Sequence, residues 1–256
     1  MGEYFDDIHA SCETELRGLP SGIDDSPQVL EGYAAAVDYE GYIALGKALS
    51  RQLRYREAAE AYSSALFEKP DDPEALRLRA GRYLSTLQAE KAYADFTRCL
   101  TLGGEELDLK YRLGLCDFYA RNYPKAMESF EACLPIADEE MGIAVIYWHT
   151  MCAYRCGAPA SLLTAYHTGM EVGHHFAYEK AVRVCAGACS ISEMLTDLEK
   201  ESEDLHYTIT AYGLSLYLRQ TGAEAEGQEL LVNVLARNDF WPCYAYLAAW
   251  NDENVR

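Results

Sequence analysis

The sequence predicts an all-α protein, an α-solenoid of about six helical hairpins with capping helices at its N- and C-terminal ends. Three observations carry that expectation. Segments beginning at Tyr39, Pro73 and Leu107 superimpose without a gap at a spacing of 34 residues. Small and aromatic residues recur in them at helical intervals, and turn-forming residues separate two helices in each.

The first recurring column is Ala58, Ala92, Ala126. Tyr62, Phe96, Phe130 follow four residues on, then Ala65, Cys99, Cys133 and Leu66, Leu100, Leu134. Upstream, Gly46, Ala80 and Gly114 share a column, flanked by Leu45 and Leu113 but in the middle unit by Arg79. Two antiparallel helices pack closely where a small residue on each lets the backbones approach and a ring fills the adjoining groove. Turn signals at Arg54-Tyr55, Gln88-Ala89 and Asn122-Tyr123-Pro124 divide each unit, and Pro70-Asp71-Asp72-Pro73 and Gly103-Gly104 close the first two.

Taken in order, residues 1–38 supply two N-terminal acidic capping helices. Tyr4, Phe5, Ile8, Cys12 and Leu16 share one face; Val29, Leu30, Tyr33 and Val37 share another, started by Ser26 and Pro27. Three repeat units follow, 39–72, 73–106 and 107–140, and degenerate hairpins fill 141–238. In that stretch Met141 to Cys156 and Ala160 to Glu171 form a fourth pair turned at Gly157-Ala158-Pro159. His174 to Cys185 with Ser192 to Lys200 is a fifth, and Leu205 to Arg219 with Ala223 to Ala236 a sixth. Residues 239–256 hold a C-terminal capping helix, on which Cys243, Tyr246, Leu247 and Trp250 share the face that seals the last repeat.

The segment from Tyr39 to about Glu140 resembles the tetratricopeptide repeat (TPR) family, on the strength of Tyr42, Leu45, Gly46, Ala58, Tyr62, Ala65 and Pro70. Units two and three match less fully: Asp117 stands where the family has a large apolar residue, and Asp138 where it often has Pro. The resemblance implies a right-handed superhelix that acts as a non-catalytic scaffold or adaptor. Its concave surface, lined by the first helix of each hairpin, would hold a peptide segment of a partner.

Composition fits that reading. Half the 256 residues are hydrophobic and a quarter charged, the balance of a globular chain with a sizeable core. A formal charge of -19 repels nucleic acid and anionic membrane surfaces, and no apolar run is long enough to span a bilayer. With no secretory signal pattern and nine scattered cysteines, the expectation is a cytoplasmic protein with reduced thiols. No phosphate-binding glycine loop, His-Glu-x-x-His or nucleophile elbow occurs, so neither an enzyme nor a cofactor is expected.

The columns that face inward by the resemblance contain Lys47, Arg51, Arg77 and Arg112, with Tyr111, Leu115, Phe118 and Tyr119 beside them. Basic groups flanked by rings suit an acidic or carboxylate-terminated peptide. The competing account is that Glu40, Glu74 and Asp108, on adjacent columns, cancel those charges. The carboxylate clamp of some family members does not carry over, since only Arg112 matches its polar columns and Ile43, Lys47, Leu78 and Asp108 depart.

Two alternatives remain at this level. One is a self-assembling structural protein, a homodimer joined through terminal helices around Tyr4-Phe5 and Trp250. The other is a metal or redox sensor built on Cys152, Cys156, Cys185 and Cys189 with His149, although cysteine in packed helices is more often a small core residue, and no metal ligand is assigned.

Overall fold

A computed structural model describes residues 36–254, so both N-terminal capping helices lie outside the described residues apart from the last turn before Tyr39. Among the described residues are twelve α-helices and no strand. They are α1 (Tyr39–Arg51), α2 (Tyr55–Glu68), α3 (Pro73–Ser85), α4 (Ala89–Thr101), α5 (Glu106–Tyr119) and α6 (Tyr123–Cys133). After these come α7 (Glu139–Cys156), α8 (Phe176–Cys185), α9 (Ile191–Leu198), α10 (Asp204–Gln220), α11 (Glu224–Ala236) and α12 (Tyr244–Asn254). The chain divides into two compact units, the first ending at Cys116 and the second beginning at Asp117, so the division falls inside α5 and not at a repeat boundary.

In the first unit α1 packs on α2, α2 on α3 and α3 on α4. Asp38 caps α1 by accepting from the Gly41 N–H at 2.9 Å, and Asp72 caps α3 by accepting from Ala75 at 2.8 Å, with Pro73 in the first turn. The recurring columns are buried in both units: Ala58, Ala92, Tyr62 and Phe96 in the first, Ala126 and Phe130 in the second. At Gly46 a methyl group would clash with the Tyr62 ring, so the small-residue column admits the ring as its spacing implies.

The joint between helices repeats at the level of the backbone. Leu53, Leu87 and Arg121 all adopt the left-handed region, with φ of 62°, 58° and 60°. The next residue in each case donates its N–H five residues back: Arg54 to Leu49 at 3.0 Å, Gln88 to Tyr83 at 2.8 Å, and Asn122 to Asp117 at 2.8 Å. A left-handed conformation costs a residue with a Cβ about 1–2 kcal/mol. The six-residue closure offsets that cost by satisfying a helix-terminal carbonyl. The α10–α11 joint has the same form, with Gly222 at φ 90° and Ala223 donating to Leu218 at 2.8 Å.

Arg79, the residue that breaks the leucine flank, reaches Asp95 on α4 through two bonds, Nε at 2.7 Å and Nη2 at 2.8 Å, and Ser63 on α2 at 3.1 Å. Asp95 occupies the position of Ala61 in the first unit. One repeat therefore uses an ion pair where its neighbour uses Leu45 and Ala61.

The second unit is built around helices that are buried on nearly every side. Residues 142–153 of α7, 207–216 of α10 and 245–251 of α12 are buried without interruption, the pattern of core helices and not of amphipathic ones. α7 packs on α6, α8 and α10; α10 also packs on α8, α11 and α12. Trp148 sits at the centre, with ring centroids 5.0 Å from Phe118, 5.3 Å from Tyr147 and 6.2 Å from Tyr212.

Two of the expected elements change here. The stretch 160–171 is not the second arm of a hairpin: after α7 ends at Gly157 (φ 68°) it holds only a 3-10 turn, Ser161–Ala165, and an irregular path through Gly169 (φ 94°). Pro159 and Gly169 bracket the segment, and no residue from 161 to 168 is fully buried, so no packed apolar face supports a longer helix there. The fifth and sixth pairs are present as α8–α9 and α10–α11. The C-terminal capping helix becomes α12, an interior helix: the Tyr119 hydroxyl donates to the Tyr244 carbonyl at 3.0 Å, and Asn251 Nδ2 donates to the Tyr119 carbonyl at 3.0 Å. Tyr246 and Trp250 are each 4% exposed, so they present no open face for a second copy.

Asp117 and Asp138 have distinct physical roles. Asp138 caps α7, accepting from Met141 at 2.8 Å. Asp117 is buried beside Lys125 Nζ at 3.3 Å, and burial raises its pKa although Lys125 opposes that shift. A carboxylate whose folded pKa lies above its unfolded value, about 3.9, destabilises the fold once ionised. Its penalty is complete above the folded pKa and vanishes below the unfolded one. Asp117→Asn is therefore expected to raise the urea midpoint at pH 7, with the gain shrinking as pH falls through that window toward about 4. An unchanged gain at both pH values would show that the ionisation is not the source.

Candidate functional site

A cavity of about 300 Å³ in the first unit is lined by Lys47, Ser50 and Arg51 from α1, Tyr62 from α2, Arg77, Leu78, Gly81 and Arg82 from α3, and Arg112 from α5. Helical spacing explains the set, because 47, 50 and 51 share one face of α1, and 77, 78, 81 and 82 share one face of α3. Gly81 opens the space between them: a Cβ there would have no atom within 4 Å. Glycine in a helix interior costs about 1 kcal/mol relative to alanine, so the gap is held against helix propensity.

Two carboxylates reach this basic wall. Glu74 accepts from Lys47 Nζ at 2.7 Å, and Asp108 accepts from Arg77 Nε and Arg112 Nε, each at 2.8 Å. Burial would raise the Asp108 pKa, but Arg112 and Arg77 outweigh it and hold the carboxyl below its usual value. Asp108 thus stays ionised and holds two guanidinium groups side by side. Arg82 lies over the Tyr55 ring, 4.3 Å from its centroid. Among the described residues neither Arg51 nor Arg82 has a carboxylate within ion-pair distance. The Tyr62 hydroxyl lies 3.4 Å from Ser50 Oγ; burial raises its pKa while Arg82, Lys47 and Arg51 pull it down.

No protein-family model matches the chain.

Four sequence-predicted residues, Lys47, Arg51, Arg77 and Arg112, thus line one cavity, and the competing account holds for three of them in part, through Glu74 and Asp108. Glu40 instead pairs with Lys69, at 3.2 Å. The apolar half of the predicted set is placed differently. Tyr111, Leu115, Phe118 and Tyr119 are buried, with between 0% and 7% of their surface exposed, and present no face to a peptide. Phe118 packs edge-on against Tyr123 and Trp148, and Tyr119 holds α12. The end of α5, Leu113 to Tyr119, is apolar on all sides save Asp117 and Gly114, and such a helix is interior.

Arg82, Tyr62, Ser50, Leu78 and Gly81 were not predicted as site residues. Arg82 falls outside the repeat columns, but its position four residues after Leu78 on α3 is the signal that could have placed it on the same face.

The cysteine set does not assemble. Cys152 is buried, Cys156 is exposed with its thiol directed at Met127 Sδ at 3.9 Å, and the Cys189 thiol contacts Ser190 and Glu193. Among the described residues no three His, Cys, Asp or Glu side chains converge as metal ligands. Burial pushes the Cys185 thiol up to about 11 and the Cys243 thiol up to about 12, so neither is a reactive thiolate at neutral pH. His149, wholly buried, contacts Glu131 at 3.2 Å and Ser161 at 3.4 Å.

Proposed function

We propose that the chain is a non-catalytic interaction module of tetratricopeptide-like repeats whose α1, α3 and α5 surface captures an acidic segment of a partner protein. The observation that carries this reading is the convergence of five cations on one cavity in a chain of net charge -19. Such a local reversal of sign steers and orients an anionic segment at short range while the remaining surface repels polyanions. Helix faces hold the cations in place, so binding orders little of the protein itself.

Arg51→Glu tests the proposal cleanly. Arg51 is exposed and carries no carboxylate pair among the described residues, whereas Arg77→Glu or Arg112→Glu would set a second carboxylate beside Asp108. Affinity for a fluorescein-labelled Glu-rich peptide is expected to fall about tenfold in Arg51→Glu, with unchanged far-UV circular dichroism, and to fall for wild type as salt is raised from about 0.05 to 0.5 M. Equal binding by both proteins, or salt-independent binding, would remove the proposal.

A further inference from the structure

The acidic-segment reading leaves the chemistry of the anion open, and the charge inventory of the cavity narrows it. Lys47, Arg51, Arg77, Arg82 and Arg112 line the cavity, and among the described residues Glu74 pairs with Lys47 and Asp108 with Arg77 and Arg112. Arg51 and Arg82 carry no carboxylate pair among the described residues, which leaves two positive charges for a ligand. A single carboxylate compensates one of them and offers two acceptor oxygens; a phosphate monoester carries about 1.5 to 2 negative charges at neutral pH and offers three. The neutral donors point the same way. Ser50 and Tyr62 bring two hydroxyls into the same cavity, and burial keeps the Tyr62 hydroxyl protonated as a donor.

Size and reach restrict the carrier. About 300 Å³ accommodates a phosphorylated side chain and lies at the lower limit of ordinary ligand pockets. A nucleic acid would bring further phosphates against a chain of -19, outside the short range over which five cations dominate at physiological salt. One isolated phosphoryl group on a protein segment satisfies both conditions.

We propose that this cavity is a phosphate-monoester site that takes a phosphorylated serine or threonine in the captured segment. This rests on the acidic-segment reading and makes it conditional on a modification of the partner. The Gly81 gap is the position the phosphoryl group enters, and Arg51 and Arg82, which line the same cavity, are the guanidinium groups not held by carboxylates among the described residues.

The experiment titrates the full chain with three labelled peptides of alternating Glu and Ala that differ only at a central position: serine, glutamate or phosphoserine. The phosphoserine peptide is expected to bind about tenfold more tightly than the glutamate peptide at pH 7.5, and the advantage to shrink below about pH 6, where the phosphate becomes a monoanion. It is also expected to disappear in Arg51→Gln/Arg82→Gln, and in Gly81→Leu, which fills the gap while adding helix propensity and so keeps the fold. Inorganic phosphate at 10 mM is expected to compete with the phosphoserine peptide more strongly than acetate. Equal affinities for the glutamate and phosphoserine peptides would overturn the phosphate assignment and leave the acidic-segment reading intact. Absence of binding by all three peptides, together with a melting temperature unmoved by 10 mM phosphate, would overturn both.

Discussion

Trp148→Ala is expected to destabilise the second unit by about 3–5 kcal/mol, the range for deleting a buried aromatic side chain where the surroundings cannot collapse. Collapse is blocked because the ring is walled by other rings: Phe118, Tyr147 and Tyr212 contact it from three helices, and Tyr147 is itself fixed by its hydroxyl bond to the Ile209 carbonyl at 2.7 Å. Trp148→Phe is expected to cost far less, about 1–2 kcal/mol, because among the described residues the buried indole N–H has no hydrogen-bond partner and its removal relieves an unmet donor. The sequence supplies a convenient readout. All three tryptophans, Trp148, Trp241 and Trp250, lie in the second unit, so fluorescence unfolding reports that unit selectively, and two reporters remain in either variant. Equal losses for Phe and Ala would mean that the indole nitrogen, and not ring volume, holds the site.

The second large effect lies in the Arg79–Asp95 pair. Asp95→Ala strands a guanidinium whose side chain is 21% exposed against a carboxylate at 11%, and is expected to cost about 2–4 kcal/mol, as is Arg79→Leu. The double variant Arg79→Leu/Asp95→Ala rebuilds at these positions the Leu45 and Ala61 pairing of the first repeat and is expected to be near wild type or more stable. The coupling energy from urea unfolding followed by far-UV circular dichroism should therefore be about 2 kcal/mol or more. Ser63, which also accepts from Arg79, loses its partner in either arm containing Leu and adds the same small term to both. Additive single effects would place the pair among exposed ion pairs of negligible net worth.

What the sequence made legible follows from how local each signal was. The small and aromatic columns were visible because close helix packing imposes the same residue sizes at the same spacing, and Gly46 against Tyr62 is that constraint realised. Arg79 was visible as an exception, but Asp95 was not visible as its answer, since an ion pair across two helices has no spacing rule. The left-handed joints at Leu53, Leu87 and Arg121 gave no signal at all: none is glycine, and the conformation is set by the six-residue closure around it. The four basic residues were selected through repeat columns; the same columns extended into the mostly apolar end of α5 placed Leu115, Phe118 and Tyr119 on the surface although they are buried, and Tyr111 is buried as well. The same pattern marks α12, whose buried run from Ala245 to Asn251 reads as interior once sidedness is judged before position in the chain. Arg82 and Gly81 acquire meaning only after α1, α2 and α3 are assembled, because one contributes charge and the other contributes room.

The recurrence of one joint has an architectural consequence. Leu53, Leu87 and Arg121 share φ within a few degrees, and the residues after them close the same bond, so the chain leaves each hairpin joint in the same local geometry. Deleting or duplicating one period between matching joints would rejoin ends that already agree, and the splice would introduce no new backbone conformation. Such a chain can change length in whole modules, and with it the number of basic faces it offers, before any individual side chain has to be reinvented.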